Sequence, residues 1–197
     1  MLANLFGGAR ASRAPERGAD ARGEVQIDFL DAVRGGEISV QFEGKGTLKI
    51  KIPAGADDGT KIRLAGQGQP GFGDAPPGDL YLTLRVRPHR FFERHGADLT
   101  VEVPVTVPEC VLGASIQVPT PDGPVTMTVP PGSANGRKLR LRGRGAHRVG
   151  KRERGDLYVK LALTLPKTAS ERLGQLAKEM EPLYENEQVR KHLEGAV

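Results

Sequence analysis

Glycines and aspartates at regular spacing are the residues of this sequence that first suggest chemistry. The segment Gly66-Gln67-Gly68-Gln69-Pro70-Gly71 matches the Gly-x-Gly-x-x-Gly pattern of dinucleotide-binding loops, and it follows a predicted strand. Such a loop holds a pyrophosphate only when a helix begins directly after it, and residues 72–77 instead form a second loop rich in glycine and proline. The segment therefore predicts a turn that needs positive φ angles.

Side chains able to bind a metal or act as nucleophiles are few and scattered. The four histidines share no ligand spacing: His89, His95, His147 and His192. The single cysteine, Cys110, excludes a disulfide framework and a four-cysteine zinc site, and it is better explained as a small residue packed under a turn. We therefore expect no enzyme, no cofactor and no metal. A lone cysteine also fits a reducing compartment, so we expect a cytoplasmic location.

Blocks of sequence occur twice, at a constant offset of 77 residues. Ile52-Pro53-Ala54-Gly55 returns as Val129-Pro130-Pro131-Gly132, and Gly78-Asp79-Leu80-Tyr81 returns as Gly155-Asp156-Leu157-Tyr158. Because glycines and prolines stay in register, the blocks indicate an internal repeat. A duplicated catalytic acid is improbable, so we predict that the two repeated aspartates cap turns by accepting backbone N–H bonds.

The apolar residues fall in short alternating runs separated by glycine and proline, a pattern typical of many short strands. We predict a mostly β protein made of two tandem β-sandwich-like domains and a C-terminal helical segment. In the second domain, Pro121-Asp122-Gly123 predicts a hairpin turn. The expected division is a flexible Gly-rich segment at 1–23, a first domain at 24–97, a second at 98–166 and the helical segment at 167–197.

The pattern changes to helical spacing after residue 166. Ser170 can cap a helix, and Pro182 should kink or end it. An apolar stripe recurs at intervals of three and four residues: Leu173, Leu176, Ala177, Met180 and Leu183. The residues alone favour a terminal helix docked on the domains, with a subunit interface as the alternative.

The densest basic run lies at residues 137–154, and it could follow a nucleic-acid backbone. Leu139 and Leu141 alternate with the charges, as on a half-exposed strand, and no aromatic residue is available there to stack on bases. A solvated strand face is favoured, with an acidic peptide partner and a nucleic-acid-binding β protein as alternatives. The net charge of +5 permits acidic partners without selecting one.

Two predicted strands of the first domain each present an apolar face, one at residues 25–29 and one at 38–42. In so small a unit these side chains form the core or line a shallow groove for an extended peptide, to which an edge strand adds main-chain hydrogen bonds. The residues alone favour core, and they leave the two alternatives nearly even for Phe92.

Several of these motifs, in order, resemble the C-terminal substrate-binding region of DnaJ-type co-chaperones. The matching segments are Phe29–Gly35, Ile52–Gly55, Ile62–Gly68, Gly78–Tyr81, Arg87–His89, Val118–Gly123 and Val129–Gly132. The resemblance covers about residues 24–166, and the leader resembles the end of that family's Gly/Phe-rich linker. The sequence contains no His-Pro-Asp triplet, the mark of a J domain, and no cysteine-rich zinc module. It is similar to the zinc-less subclass of curved-DNA-binding-protein type.

The resemblance implies a co-chaperone module that binds exposed apolar segments of unfolded polypeptides and delivers them to a DnaK-type chaperone. Without a J domain, the chain alone is not expected to stimulate the ATPase of that chaperone. The family's peptide groove corresponds to Val25, Ile27, Val40, Phe42 and Phe92. Basic residues near it are candidates for the chaperone's acidic C-terminal tail: Lys45, Lys49 and Lys51. The family dimerises at its far C-terminus, which makes Leu173, Leu176, Met180 and Leu183 candidates for a homodimer interface.

Overall fold

A computed structural model of the chain describes residues 15–42, 46–150, 153–185 and 189. The first unit contains β1 (Ala21–Ile27), α1 (Phe29–Arg34), β2 (Gly36–Phe42), β3 (Gly46–Ile52), β4 (Lys61–Leu64) and β5 (Leu80–Val86). The second contains β6 (Phe92–His95), β7 (Asp98–Thr106), α2 (Val107–Leu112), β8 (Ala114–Val118), β9 (Val125–Val129), β10 (Lys138–Leu141) and β11 (Leu157–Thr164). Helix α3 (Glu171–Met180) and a 3-10 turn (Glu181–Tyr184) follow. The prediction of a mostly β protein is confirmed.

The two units share one topology, as the sequence repeat predicts. In the first, strands lie in the order β1-β5-β4, and the hairpin β2-β3 forms a separate two-stranded sheet. In the second, the order is β10-β11-β7-β6, with the hairpin β8-β9 apart. The parallel pair β1–β5 corresponds to the parallel pair β7–β11. Each large sheet thus packs an alternating apolar face beneath its own hairpin.

The hairpin of the second unit turns where its sequence predicts. Val118 pairs with Val125, and between them the backbone N–H of Gly123 donates to the carbonyl of Thr120 at 3.1 Å. Gly123 adopts φ of 118°, a conformation that few other residues tolerate. This turn sets the register of β8 against β9.

The apolar side chains form two clusters that do not divide at the boundary of the repeat. The first cluster contains Val25, Ile27, Ala32, Ile50, Ile52, Ala56, Leu80, Leu82 and Leu84. The second gathers the inner face of the second unit together with Phe29 and Val33 of α1. Helix α1 therefore packs its outward face on the second unit. The Arg34 side chain donates to the carbonyl of Pro121 across the same junction.

The segment that joins the units belongs to the second sheet. Residues 92–95 form β6, which pairs antiparallel with the first residues of β7. The second sheet therefore begins before residue 98, where the sequence places the domain boundary. Arg94 of β6 donates to the carbonyls of Gly55 and Ala56 at 2.8 and 2.7 Å, which joins this strand to the first unit.

The expectation of a flexible leader at 1–23 is wrong for its described residues, 15–23. The N–H of Gly18 donates to the carbonyl of Pro76 at 3.1 Å, and the carbonyl of Ala19 accepts from Gln69 at 2.9 Å. β1 then begins at Ala21. Glycine and alanine suggest disorder by composition, but here they allow two backbones to approach closely. Residues 1–14 lie outside the described part of the chain.

Helix α3 begins and ends as its sequence predicts. The N–H of Leu173 donates to the Ser170 hydroxyl at 3.1 Å, which caps the first turn. The helix ends at Met180, and Pro182 lies in the following 3-10 turn. No residue of α3 is buried, so the structure does not show the helix docked on either unit. Beyond Glu185 only Val189 is among the described residues.

Candidate functional site

The repeated aspartate of the first unit organises a turn. The Asp79 carboxylate accepts the backbone N–H of Gly66 at 2.9 Å and the Arg63 side chain at 2.7–2.8 Å. The Asp79 N–H in turn donates to the Asp20 carboxylate at 2.8 Å. The Gly66 hydrogen bond, with those from Arg17 and Arg63, holds the pKa of Asp79 below its usual range, although burial opposes the shift.

The second unit repeats the contacts with the turn glycine, the strand arginine and the second aspartate. Asp156 accepts the N–H of Gly143 at 2.8 Å and Arg140 Nε at 2.7 Å, and its own N–H donates to Asp98 at 2.8 Å. The Gly143 hydrogen bond, followed by the Arg140 contact, lowers the pKa of Asp156. The prediction that both aspartates cap turns is confirmed. Their carboxylates are occupied by the scaffold and are not placed for proton transfer.

The Gly-x-Gly-x-x-Gly segment is also structural. Gly66 has φ of 68°, and a Cβ atom on Gly68 would lie 2.5 Å from the carbonyl carbon of Gly78. A Cβ atom on Gly71 would lie 2.2 Å from the carbonyl oxygen of Ala75. These glycines are needed for a positive φ angle and for close backbone approaches. The loop is followed by β5, not by a helix, so it offers no helix N-terminus to a phosphate.

Four of the five predicted groove residues lie together in the first unit. Val25 and Ile27 are on the inner face of β1, only 5% and 3% exposed, and belong to the first core. Val40 and Phe42 of β2 are half-buried and pack against that core. Val25 and Ile27 are therefore core residues, while the side chains of Val40 and Phe42 are only partly buried.

Phe92 lies elsewhere. Its side chain is buried in the second core and stacks on Phe29, with ring centroids 6.2 Å apart and an interplanar angle of 7°. His89 Nδ1 accepts the backbone N–H groups of Phe91 and Phe92, which fixes the joining segment over this stack. The structure thus does not bring Phe92 into the cluster formed by Val25, Ile27, Val40 and Phe42. The tertiary contact with α1 places it in the junction between the units.

The lysines predicted to hold an acidic tail lie on the other face of the hairpin. Lys49 and Lys51 of β3 are exposed, and they pair across the hairpin with Ser39 and Glu37. Because side chains alternate along a strand, this face points away from the half-buried side chains of β2. Lys49 Nζ lies 3.4 Å from Glu37 Oε1. Lys45 is outside the described residues.

Part of the basic run at 137–154 serves the scaffold. Arg140 holds Asp156, and Arg154 holds Asp122 at 2.6 Å while donating to the carbonyl of Gly145. Arg144 lies 3.9 Å from the same Asp122. These contacts provide no support for a nucleic-acid surface.

Three of the four predicted dimer residues are exposed. Leu176 and Met180 of α3 are 41% and 36% exposed, Leu183 of the 3-10 turn is 72% exposed, and Leu173 is half-buried. Nothing in the described chain covers their apolar surface fully.

Sequence reasoning missed one difference between the units, the fourth strand of the second sheet. β6 pairs along the outer edge of β7, whereas the equivalent strand β1 lies at the edge of its sheet with no described strand beside it. The signal was present, since residues 92–95 precede β7 by a two-residue turn containing Gly96. A cavity of about 490 Å³, lined in part by Phe29, Val86 and Phe92, lies next to this strand.

Two further observations bear on function. Within the described ranges, no helix has the length and apolar character needed to cross a membrane. The same residues include no group of three potential metal ligands from histidine, cysteine, aspartate and glutamate.

Similarity to known proteins agrees with the architecture. The model of the DnaJ C terminal domain family matches residues 21–166, most of the chain. The chain belongs to the DnaJ C terminal domain family. A Chaperone protein DnaJ of Chelativorans sp. (strain BNC1) is 44% identical over 142 residues, which cover 72% of this chain and 38% of the relative.

Further members of the family are similar to this chain at comparable identity and over a comparable part of their length. The Chaperone protein DnaJ of Neisseria meningitidis serogroup B (strain MC58) is 41% identical over 148 residues, 74% of this chain and 40% of the relative. That of Brucella canis is 39% identical over 172 residues, 86% of this chain and 45% of the relative. The chain therefore spans less than half the length of these curated relatives.

Proposed function

We propose that this chain is a client-binding co-chaperone module, which binds exposed apolar segments of unfolded polypeptides and delivers them to a DnaK-type chaperone. Membership of the DnaJ C terminal domain family supports this proposal, because the relatives named above are chaperones. The chain itself provides binding only, and ATP turnover belongs to the partner chaperone. The single free cysteine, which is buried, is consistent with the cytoplasmic location that we propose.

The observation that carries the proposal is the open edge of the first unit. The outer edge of β1 has no described strand partner, and the half-buried Val40 and Phe42 lie on the hairpin that covers the same sheet. In the second unit, β6 occupies the equivalent edge and Phe92 faces Val101. The residue equivalent to Val101 in β1 is Gly23, which has no side chain to hinder the approach of an extended segment to this edge. Main-chain pairing supplies affinity, and side-chain pockets supply selectivity.

Substitution of the accessible groove residues tests the proposal. We expect the double variant Val40→Ser, Phe42→Ser to weaken binding of a labelled, reduced and unfolded polypeptide by about 30-fold to 900-fold, since each apolar contact contributes roughly 1–2 kcal/mol. Val149→Ser is the matched control, because Val149 is an exposed valine in a loop of the second unit. Fluorescence anisotropy measures the affinity.

A milder change separates loss of binding from loss of folding. Val40→Thr keeps the shape of valine and replaces one methyl group with a hydroxyl, so we expect it to weaken client binding while the circular dichroism spectrum stays that of the parent chain. If both groove variants remain folded and bind the client as the parent does, the groove is not the client site.

The acidic tail of the partner chaperone is the second proposed ligand. Lys49 and Lys51 are its candidates, and both are exposed. A peptide with an acidic C-terminus should bind more weakly as salt increases, and Lys51→Glu should weaken it further. Binding that is independent of salt and of this substitution would place the tail elsewhere.

Homodimerisation through α3 is the third part of the proposal. The apolar stripe of Leu173, Leu176 and Met180 is not buried within the described chain, so it is available to a second copy. A dimer would carry two client grooves, and once a long client binds one groove, its effective concentration at the other is raised. Analytical ultracentrifugation of the parent chain and of Leu173→Ser, Leu176→Ser measures this. A parent chain that is monomeric at all accessible concentrations excludes it.

A further inference from the structure

The two short helices of the repeat occupy equivalent places but have different surroundings. In α1, Val33 is completely buried because the second unit covers it. The equivalent residue of α2 is Val111, which is 58% exposed. Arg34 of α1 donates to the carbonyl of Pro121, whereas its equivalent in α2 is Leu112, 76% exposed. The helix face that joins the first unit to the second is therefore present again on the second unit, more apolar and uncovered.

The end of β11 extends this exposed surface. Leu157, Val159 and Leu161 are buried on the inner face of the strand. Leu163 continues the same face and is 41% exposed, and Leu165, just beyond the strand, is also exposed. β7 runs parallel to β11 and leads directly into α2, so these leucines lie beside the start of that helix. Val111, Leu112, Leu163 and Leu165 together form what we call the α2 patch.

An apolar surface of this kind has a suitable occupant in the same chain. Helix α3 has an unburied apolar stripe and begins a few residues after the α2 patch ends. Although this short connection would allow α3 to fold back, none of its residues is buried in the structure. Two copies that each place α3 on the other's patch form two identical contacts related by a twofold axis, which closes the assembly.

We propose that the α2 patch is the acceptor surface for α3 of a second copy of this chain. The inference rests on the proposed homodimerisation and identifies the surface that receives the helix. The interface between α1 and the second unit shows how this face is covered: an apolar residue at the position of Val33 or Val111 packs under a neighbouring element. In the first unit that element comes from the same chain, and in the second it comes from the partner.

Cysteine cross-linking distinguishes a partner helix from a helix of the same chain. Cys110→Ala provides a cysteine-free background, and alanine is the residue at the equivalent position 32. One sample carries Val111→Cys, another carries Leu176→Cys, and the two are mixed and oxidised. We expect a disulfide-linked dimer to form faster in the mixture than in either sample alone. A chain carrying both substitutions should also yield dimers, and a cross-linked monomer as its main product would overturn the proposal.

A dilution series tests the energetic contribution of the patch. The double variant Leu112→Ser, Leu165→Ser should raise the dimer dissociation constant at least about 10-fold, because it removes two large apolar side chains that become buried in the dimer. Val149→Ser changes an exposed valine outside the patch and should leave the dissociation constant unchanged.

The outcomes separate this inference from the proposals on which it rests. If Leu173→Ser, Leu176→Ser abolishes the dimer while the α2 variants retain it, the acceptor lies elsewhere and dimerisation through α3 stands. If the parent chain never dimerises, both are wrong, and client binding by the groove is still measured separately on the monomer.

Discussion

Val33 provides a direct test of the junction between the two units. It belongs to the first unit by sequence, yet its side chain is completely buried in the core of the second. Val33→Ala removes two carbon atoms from that core, which costs about 1.6 kcal/mol at about 0.8 kcal/mol per buried methylene. The cavity left behind adds to this, so we expect a loss of about 2–3 kcal/mol in the free energy of unfolding.

Urea denaturation followed by circular dichroism measures this loss, with Val149→Ala as the control. Val149 is 54% exposed, so its truncation should change the free energy of unfolding by less than about 0.5 kcal/mol. In a chain of this size, a loss of 2 kcal/mol corresponds to a decrease in melting temperature of about 4–8 °C. Amide hydrogen exchange should show reduced protection in both units, because Val33 connects them.

Two results would refute the reasoning. A loss as small as that of the control would mean that α1 is not packed on the second unit in solution. A large loss with reduced amide protection confined to the first unit would mean that the two units are stable independently, although they touch.

Further predictions concern the turns. A Cβ atom on Gly55 would lie 1.9 Å from the carbonyl oxygen of His147, so Gly55→Ala should destabilise the chain by several kcal/mol. Gly59→Ala is the control, because Gly59 has nearly the same φ angle but open space around it. We expect this variant to lose only about 1–2 kcal/mol of the free energy of unfolding, measured by thermal denaturation, because alanine disfavours a positive φ angle. Equal losses in the two variants would exclude the clash at Gly55. The lowered pKa values of Asp79 and Asp156 stabilise the folded chain above the unfolded-state pKa of about 3.9, and this contribution is lost as pH falls through the folded-state pKa. Asp79→Asn and Asp156→Asn should therefore reduce the free energy of unfolding at pH 7, and much less so near pH 2. Denaturation curves measured at both pH values test this. A stability difference between variant and parent that does not change with pH would contradict it.

The elements and their roles within each unit could be predicted well from sequence. Alternating apolar residues predicted the strands, and proline with glycine predicted the hairpin turn between Val118 and Val125. The repeat predicted that Asp79 and Asp156 have one structural role, since a feature found in both copies belongs to what both copies share, the fold. These features depend on residues close in the chain or on a pattern that alternates along one strand.

The candidate site was predicted only in part. Val40 and Phe42, the half-buried residues of the proposed groove, lie on one face of β2 because side chains alternate along a strand. The same alternation places Lys49 and Lys51 on the opposite face, but their closeness in sequence suggested that they lie beside the groove. Phe92 was misplaced because its position depends on stacking with Phe29, a residue distant in the chain.

Sequence by itself thus determined that this chain has two like units, where their strands and turns lie, and that its repeated glycines and aspartates serve the fold. Tertiary structure decided what the two units do differently. Val33 and Val111 occupy equivalent positions in equivalent helices, and only one of them is buried. Nothing in the local pattern distinguishes them, because burial depends on which element packs against a face. For α1 that element is the second unit, whereas for α2 the described chain provides no cover.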